Sequence, residues 1–140
     1  MTYGSVRHHI RVHRPADVVW RLVGDPARLH DWFPGVTSCT VDGNQRVIVL
    51  GSGMPMPEEI TVNDPVMRRF QYRITAPIFQ YHRGTIDVID LGDDTSLVVY
   101  STDADPRTMA LTIGGGTAGA LDELKRQMEA GQHDLETGAS

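Results

Sequence analysis

DPRTMALTIGGGTAGALDELKRQMEA, residues 105–130, is the stretch that decides the fold. Asp105 supplies an N-cap carboxylate, and Pro106 stands at the first helical position, where its missing N–H costs nothing. Met109, Ile113, Ala120, Leu124 and Met128 recur at helical spacing, whereas Asp122, Glu123, Lys125, Arg126 and Glu129 fall on other faces. The spacing predicts one long amphipathic helix from Pro106 to about Ala130 with a single buried stripe. Its interior holds Gly114, Gly115, Gly116 and Gly119. Each costs a helix roughly 0.5–1 kcal/mol relative to alanine. Two explanations are open: close packing or a kink on one side, or a space beside the helix that something else fills.

Everything before residue 105 reads as a β-protein with one interruption. Ser5 to His13 alternates Val6, His8, Ile10 and Val12 against basic and histidine positions, a half-buried strand. Pro15 opens a helix carrying Val18, Val19, Leu22 and Val23 and stopping at Gly24. Asp25-Pro26 opens a second, short helix with Leu29 and Trp32, ended by Pro34-Gly35. Strands are then expected at Val36–Val41, Arg46–Leu50, Glu58–Asn63, Arg69–Thr75, Tyr81–Leu91 and Ser96–Asp103. Asp42-Gly43-Asn44-Gln45 and Gly92-Asp93-Asp94 are the hairpin turns. Gly51–Pro57 reads as a loop in which Met54 and Met56 form an adaptable apolar lid. After Gly131 the polar residues 131–140 read as a tail. The predicted class is α+β: a curved antiparallel seven-stranded sheet gripping a long C-terminal helix, in the order β-α-α-β6-α.

At 140 residues the chain fits a single domain, 1–140 with its core at about 5–130, large enough to need no staples. Cys39 is the only cysteine, which excludes an intrachain disulfide and fits a reducing cytoplasm. No apolar run reaches the length of a membrane span, so no integral membrane segment is expected. The net charge is −5, and the basic residues are scattered, which argues against nucleic acid as a partner. Monomer or weak dimer is the expected state.

The order of elements and several strings resemble the START-like helix-grip superfamily (SRPBCC), and within it the polyketide cyclase/dehydrase and lipid-transport group. The strings are RPADVVWRLVGDPARLHDWFPGV (Arg14 to Val36), Asp64-Pro65 before RRFQYRI (Arg68 to Ile74), the Gly92-Asp93-Asp94-Thr95 turn, and ALDELKRQM closing the last helix. The resemblance covers about residues 5–130. It implies an apolar cavity between sheet and helix, closed at one end by the two short helices. It says little about chemistry, because this scaffold hosts binders, cyclases and regulators alike.

Strand parity selects the lining. Phe70, Tyr72 and Ile74 face one way, His82 and Gly84 share the face of Ile86 and Val88, and Val98, Tyr100 and Thr102 are the inward set that the family pattern favours. On 58–63 periodicity turns Ile60 and Val62 inward, whereas the resemblance turns Glu59 and Thr61 inward; both stay open. With Met109 and Ile113 from the helix, and Trp32 placed by resemblance near the mouth, the expected ligand-binding set is Trp32, Phe70, Tyr72, His82, Val98, Tyr100, Met109 and Ile113. Each also has a plain structural role available, as core side chain or half-buried tyrosine.

No catalytic constellation stands out. The six histidines show no metal-ligand spacing, no G-x-S-x-G is present, and the adjacent Glu58 and Glu59 point to opposite faces of a strand. His82 and Tyr72 are the candidates if the protein is an enzyme, because parity sets both inside. Neither a metal nor a cofactor is expected. The leading expectation is therefore binding of a small hydrophobic molecule: a lipid, polyketide or isoprenoid-like compound. The alternatives are an aromatase/cyclase-type enzyme acting on a poly-β-keto substrate, and a regulatory module with a protein partner. By resemblance, cyclases place an arginine in the pocket; the matching positions here, Asn63 and Gly114, lack one.

Overall fold

The computed structural model describes residues 3–134; Met1, Thr2 and the part of the expected tail at 135–140 lie outside the described residues. Strand β1 (Gly4–Val12) leads into helix α1 (Ala16–Val23), a 3-10 turn (Pro26–Arg28) and helix α2 (Leu29–Trp32). Strands β2 (Val36–Asp42), β3 (Gln45–Leu50), β4 (Pro55–Asp64), β5 (Arg69–Ile74), β6 (Tyr81–Gly92) and β7 (Thr95–Asp105) follow, and helix α3 (Arg107–Glu129) closes the chain. All neighbours pair antiparallel in one sheet of order β1-β7-β6-β5-β4-β3-β2. This is the helix-grip arrangement, with α3 lying on β1 and β7.

The turns follow from residue chemistry. Asp93 and Asp94 both take φ near +55° (53° and 57°), the twist that a tight two-residue hairpin requires and that short Asp side chains tolerate. Asp25 caps the 3-10 turn by accepting the Ala27 N–H at 3.0 Å. Apolar alternation on β7 buries Val98, Tyr100, Thr102 and Ala104 on the face turned to α3.

Three expectations are corrected. Asp105 is the last residue of β7, not a helix cap; Pro106 itself is the N-cap, without a side-chain cap. The loop expected at 51–57 is shorter, because β4 already starts at Pro55. Prolines are tolerated there because the β4–β5 ladder begins only at Glu58; beyond it Pro57 offers just its carbonyl, which accepts the Thr75 N–H at 3.0 Å. Finally, the packed chain continues beyond Gly131. His133 is only 4% exposed, and its Nε2 lies 2.6 Å from Gln127 Oε1. The neighbouring Asp31 carbonyl accepts from Gln127 Nε2 at 2.9 Å, and Arg14 Nη1 donates to the Met128 carbonyl at 2.8 Å. These bonds satisfy the C-terminal end of α3 and fasten it to α2.

The glycines of α3 divide by neighbour. A Cβ on Gly114 would stand 2.7 Å from Val6 Cγ1, so β1 and the helix touch backbone to side chain there. Gly4 makes the same approach from the strand side, against Ala110. Gly116 looks toward the Phe33 ring at 3.8 Å, and Gly115 and Gly119 meet nothing within 4 Å. Close packing thus explains Gly114, and Gly116 borders open space. Among the described residues no helix is long and apolar enough to cross a membrane.

Candidate functional site: an apolar hollow with a polar end

Between α3 and the concave face of the sheet lies a cavity of about 300 Å³. Helix α3 contributes Met109, Thr112, Ile113 and Gly116 to its wall, and the short helical segment contributes Leu29 and Phe33. The sheet supplies Ile48, Leu50, Met56 and Ile74, and Phe79 enters from the loop joining β5 to β6. Thr112 and Gly116 are themselves exposed, so the hollow reaches the surface along the helix. The volume stands at the lower end of the roughly 300–1,000 Å³ usual for small-molecule sites.

The polar members of the wall are few and connected. Tyr72 and Tyr100 meet hydroxyl to hydroxyl at 2.6 Å, with rings that are 4% and 1% exposed. Gly84 makes room for this: a Cβ there would collide with the Tyr72 ring, which lies across the glycine on the adjacent strand. Burial pushes both phenols well above their ordinary range, so both are neutral. Glu58 lies next to them, paired across the β3–β4 ladder with Arg46, and each side chain is 2% exposed. Arg46 Nε donates to Glu58 Oε1 at 2.7 Å, and Nη2 approaches that same oxygen to 2.6 Å without hydrogen-bond alignment. Nη1 donates to the Pro26 carbonyl at 3.2 Å, and the guanidinium lies over the Phe70 and Tyr72 rings. Burial raises the Glu58 carboxyl against the downward pull of Arg46, and the Arg46 guanidinium, despite burial, is raised by that carboxylate.

Of the expected ligand set, Tyr72, Tyr100, Met109 and Ile113 stand on the wall of the hollow. Trp32, Phe70, His82 and Val98 do not. Trp32 is 1% exposed and packs at a tilt against Phe33 and Tyr100, while Phe70 and Val98 are core residues. His82 lies behind Tyr72 and Phe79, with ring centroids 5.5 and 5.2 Å away. Its Nδ1 accepts the Ile74 N–H at 2.9 Å, which assigns the proton to Nε2, and burial lowers its pKa to about 4. That bond ties the ends of β5 and β6 together. His82 is a buried neutral strut, screened from the hollow by two aromatic rings.

The open question on β4 resolves in an unforeseen way. Met56, Glu58 and Ile60 share the inner face, and a register shift between Ile60 and Val62 then reverses the alternation. Val62 therefore pairs with Gln71 on the outer face, Glu59 meets Arg73 outside at 3.2 Å, and Thr61 is exposed. Asn63 reaches the Gly24 carbonyl at 3.0 Å instead of entering the hollow. Of the two methionines expected as a lid, Met56 lines the hollow from within β4, and Met54 is 54% exposed. Sequence reasoning missed Phe33, Phe79 and, above all, the Arg46–Glu58 pair. Its available signal was parity: Arg46 shares a face with Ile48 and Leu50.

A bent antiparallel sheet closed over a long helix, with an apolar hollow between them, defines the START-like helix-grip class. Residues 3–129 match the family described as polyketide cyclase/dehydrase and lipid transport, and the chain belongs to that family. Among curated proteins there is no sequence match. A protein from Thermobifida fusca with a solution NMR structure is 28% identical, at a TM-score of 0.70 over 83% of this chain and 90% of its own. XoxI from Bacillus cereus is 22% identical at a TM-score of 0.82, covering 88% and 94% of the two chains. The Zhui aromatase/cyclase from Streptomyces sp. R1128 is 20% identical at 0.76, covering 93% and 96%. The last two likenesses are of fold.

Proposed function

We propose that the protein binds one small, largely apolar molecule in the hollow between sheet and helix. The observation that carries this reading is the wall itself: aliphatic and aromatic side chains around about 300 Å³, interrupted by a compact polar group at Glu58, Tyr72 and Tyr100. A space of that size holds roughly ten waters at ~30 Å³ each, hence a ligand of one or two rings or a short chain. Apolar walls make such a space unfavourable for water and favourable for hydrocarbon. In the binding set, Tyr72, Tyr100, Met109 and Ile113 keep their assigned role, and Phe33, Met56, Glu58 and Phe79 join them.

Native mass spectrometry of the protein purified from its own host tests this reading. A species heavier than the polypeptide by one small molecule, released on unfolding, is expected. Consistent absence of any such species counts against it.

An aromatase/cyclase activity is the second reading, favoured by the polar cluster within an apolar pocket. In that case Tyr72 and Glu58 would contact the reacting carbonyls, and Tyr72→Phe would change the product ratio obtained from a poly-β-ketone mimic. An unchanged ratio removes the cyclase.

A further inference from the structure

The polar end of the hollow has an unusual balance of hydrogen-bonding capacity. Glu58 is 2% exposed and lines the cavity, and both approaching Arg46 nitrogens address its Oε1. Its second oxygen, Oε2, accepts no hydrogen bond from any described residue. Glu58 lines the cavity, so this oxygen is open to a ligand there, and charged acceptors take donors strongly. The tyrosine pair is complementary to it. One hydroxyl donates to the other at 2.6 Å, so one phenolic hydrogen is left over at a residue of the cavity wall. Arg46 does not reach the wall, and His82 is neutral behind Tyr72 and Phe79. The wall itself therefore offers an acceptor and a neutral donor but no cation; the nearest cation, Arg46, is held behind it against Glu58 Oε1.

We infer that the hollow selects a neutral hydroxyl-bearing ligand, a phenol or alcohol on a compact apolar body, and rejects carboxylates of the same shape. A ligand O–H donates to Glu58 Oε2 while its oxygen accepts the spare tyrosine hydrogen. A ligand carboxylate meets Glu58 as a like charge in a desolvated space and finds no counter-ion on the wall, because Arg46 lies behind it and is already engaged by Glu58 Oε1. Free fatty acids and other organic acids are excluded on this ground, although their chains would suit the walls. This inference deepens the proposed binding reading and rests on it.

The test uses three matched probes, 1-naphthol, naphthalene and 1-naphthoate, titrated by calorimetry into the whole protein at pH 8. 1-Naphthol is expected to bind roughly ten- to a hundredfold tighter than naphthalene, the range for a hydrogen bond to a charged group. 1-Naphthoate is expected to bind more weakly than naphthalene. Glu58→Gln keeps an oxygen for Arg46 and removes the charge, so it should narrow the gap between 1-naphthol and 1-naphthoate by at least about tenfold. The wild-type order decides alone if that variant does not fold. Equal affinities, or 1-naphthoate the tightest, overturn the selectivity and leave the binding reading intact. Binding of none of the three overturns both.

Discussion

Arg46 and Glu58 face each other across the β3–β4 ladder, and within this buried pair the arginine commits Nε and Nη2 to a single carboxylate oxygen. Burying two charges is costly, and their attraction only offsets that cost while both are present. Glu58→Leu alone should destabilise by about 3–5 kcal/mol, because it leaves an unpaired guanidinium in the core. Arg46→Met combined with Glu58→Leu should recover most of that loss. Urea unfolding of the wild type and the two variants measures it; a single-variant cost below about 1 kcal/mol would mean the pair is not buried as described.

The glycines of α3 give a second prediction with opposite signs along one helix. Gly115→Ala and Gly119→Ala meet open space and should stabilise by roughly 0.5–1 kcal/mol each. Gly114→Ala drives a methyl into Val6 and should destabilise by roughly 1–3 kcal/mol. Thermal unfolding checks the contrast. The same sign at all three positions would refute the close helix–strand approach.

How far the sequence carried the fold is visible in this helix. Its length, its apolar stripe and its glycine run were all legible because period and composition are local properties. Asp105 was misassigned because an Asp-Pro pair suits a strand end followed by a helix as well as a helix cap, and only the β6–β7 ladder distinguishes them. The wall of the hollow was half legible, through parity on β5 and β7. Glu58 was not, since a lone acidic residue on a strand normally faces water. Its burial depends on Arg46 lying opposite in register, which no single segment encodes. The bulge after Ile60 inverted the parity of β4, and Phe79 sits in an irregular loop with no period to read.

A third prediction concerns acid. His82 has a folded pKa of about 4 against 6.5 for the free group, because burial disfavours its cation. The unfolded chain therefore takes up the proton first. This contribution to stability is complete above pH 6.5 and is lost as pH falls toward 4, by roughly 3 kcal/mol in all. Glu123 and Glu129, both held down to about 2 chiefly by bonds from Arg126 and Lys125, lose their stabilisation only below pH 4.5. His82→Asn keeps an acceptor for the Ile74 N–H and should flatten stability against pH between 6.5 and 5. An unchanged slope in urea titrations across that window would contradict the buried neutral imidazole.

The most direct check of the hollow is a titration with N-phenyl-1-naphthylamine, a neutral apolar dye that brightens when removed from water, into wild type and Ile113→Trp. Ile113 faces the cavity from α3, so the indole occupies it while Glu58 and the strands keep their own side chains. One saturable site per chain in the wild type, lost in the variant while its unfolding midpoint is retained, is the expected result. No saturable binding, or equal binding by the filled variant, would contradict a ligand site between sheet and helix.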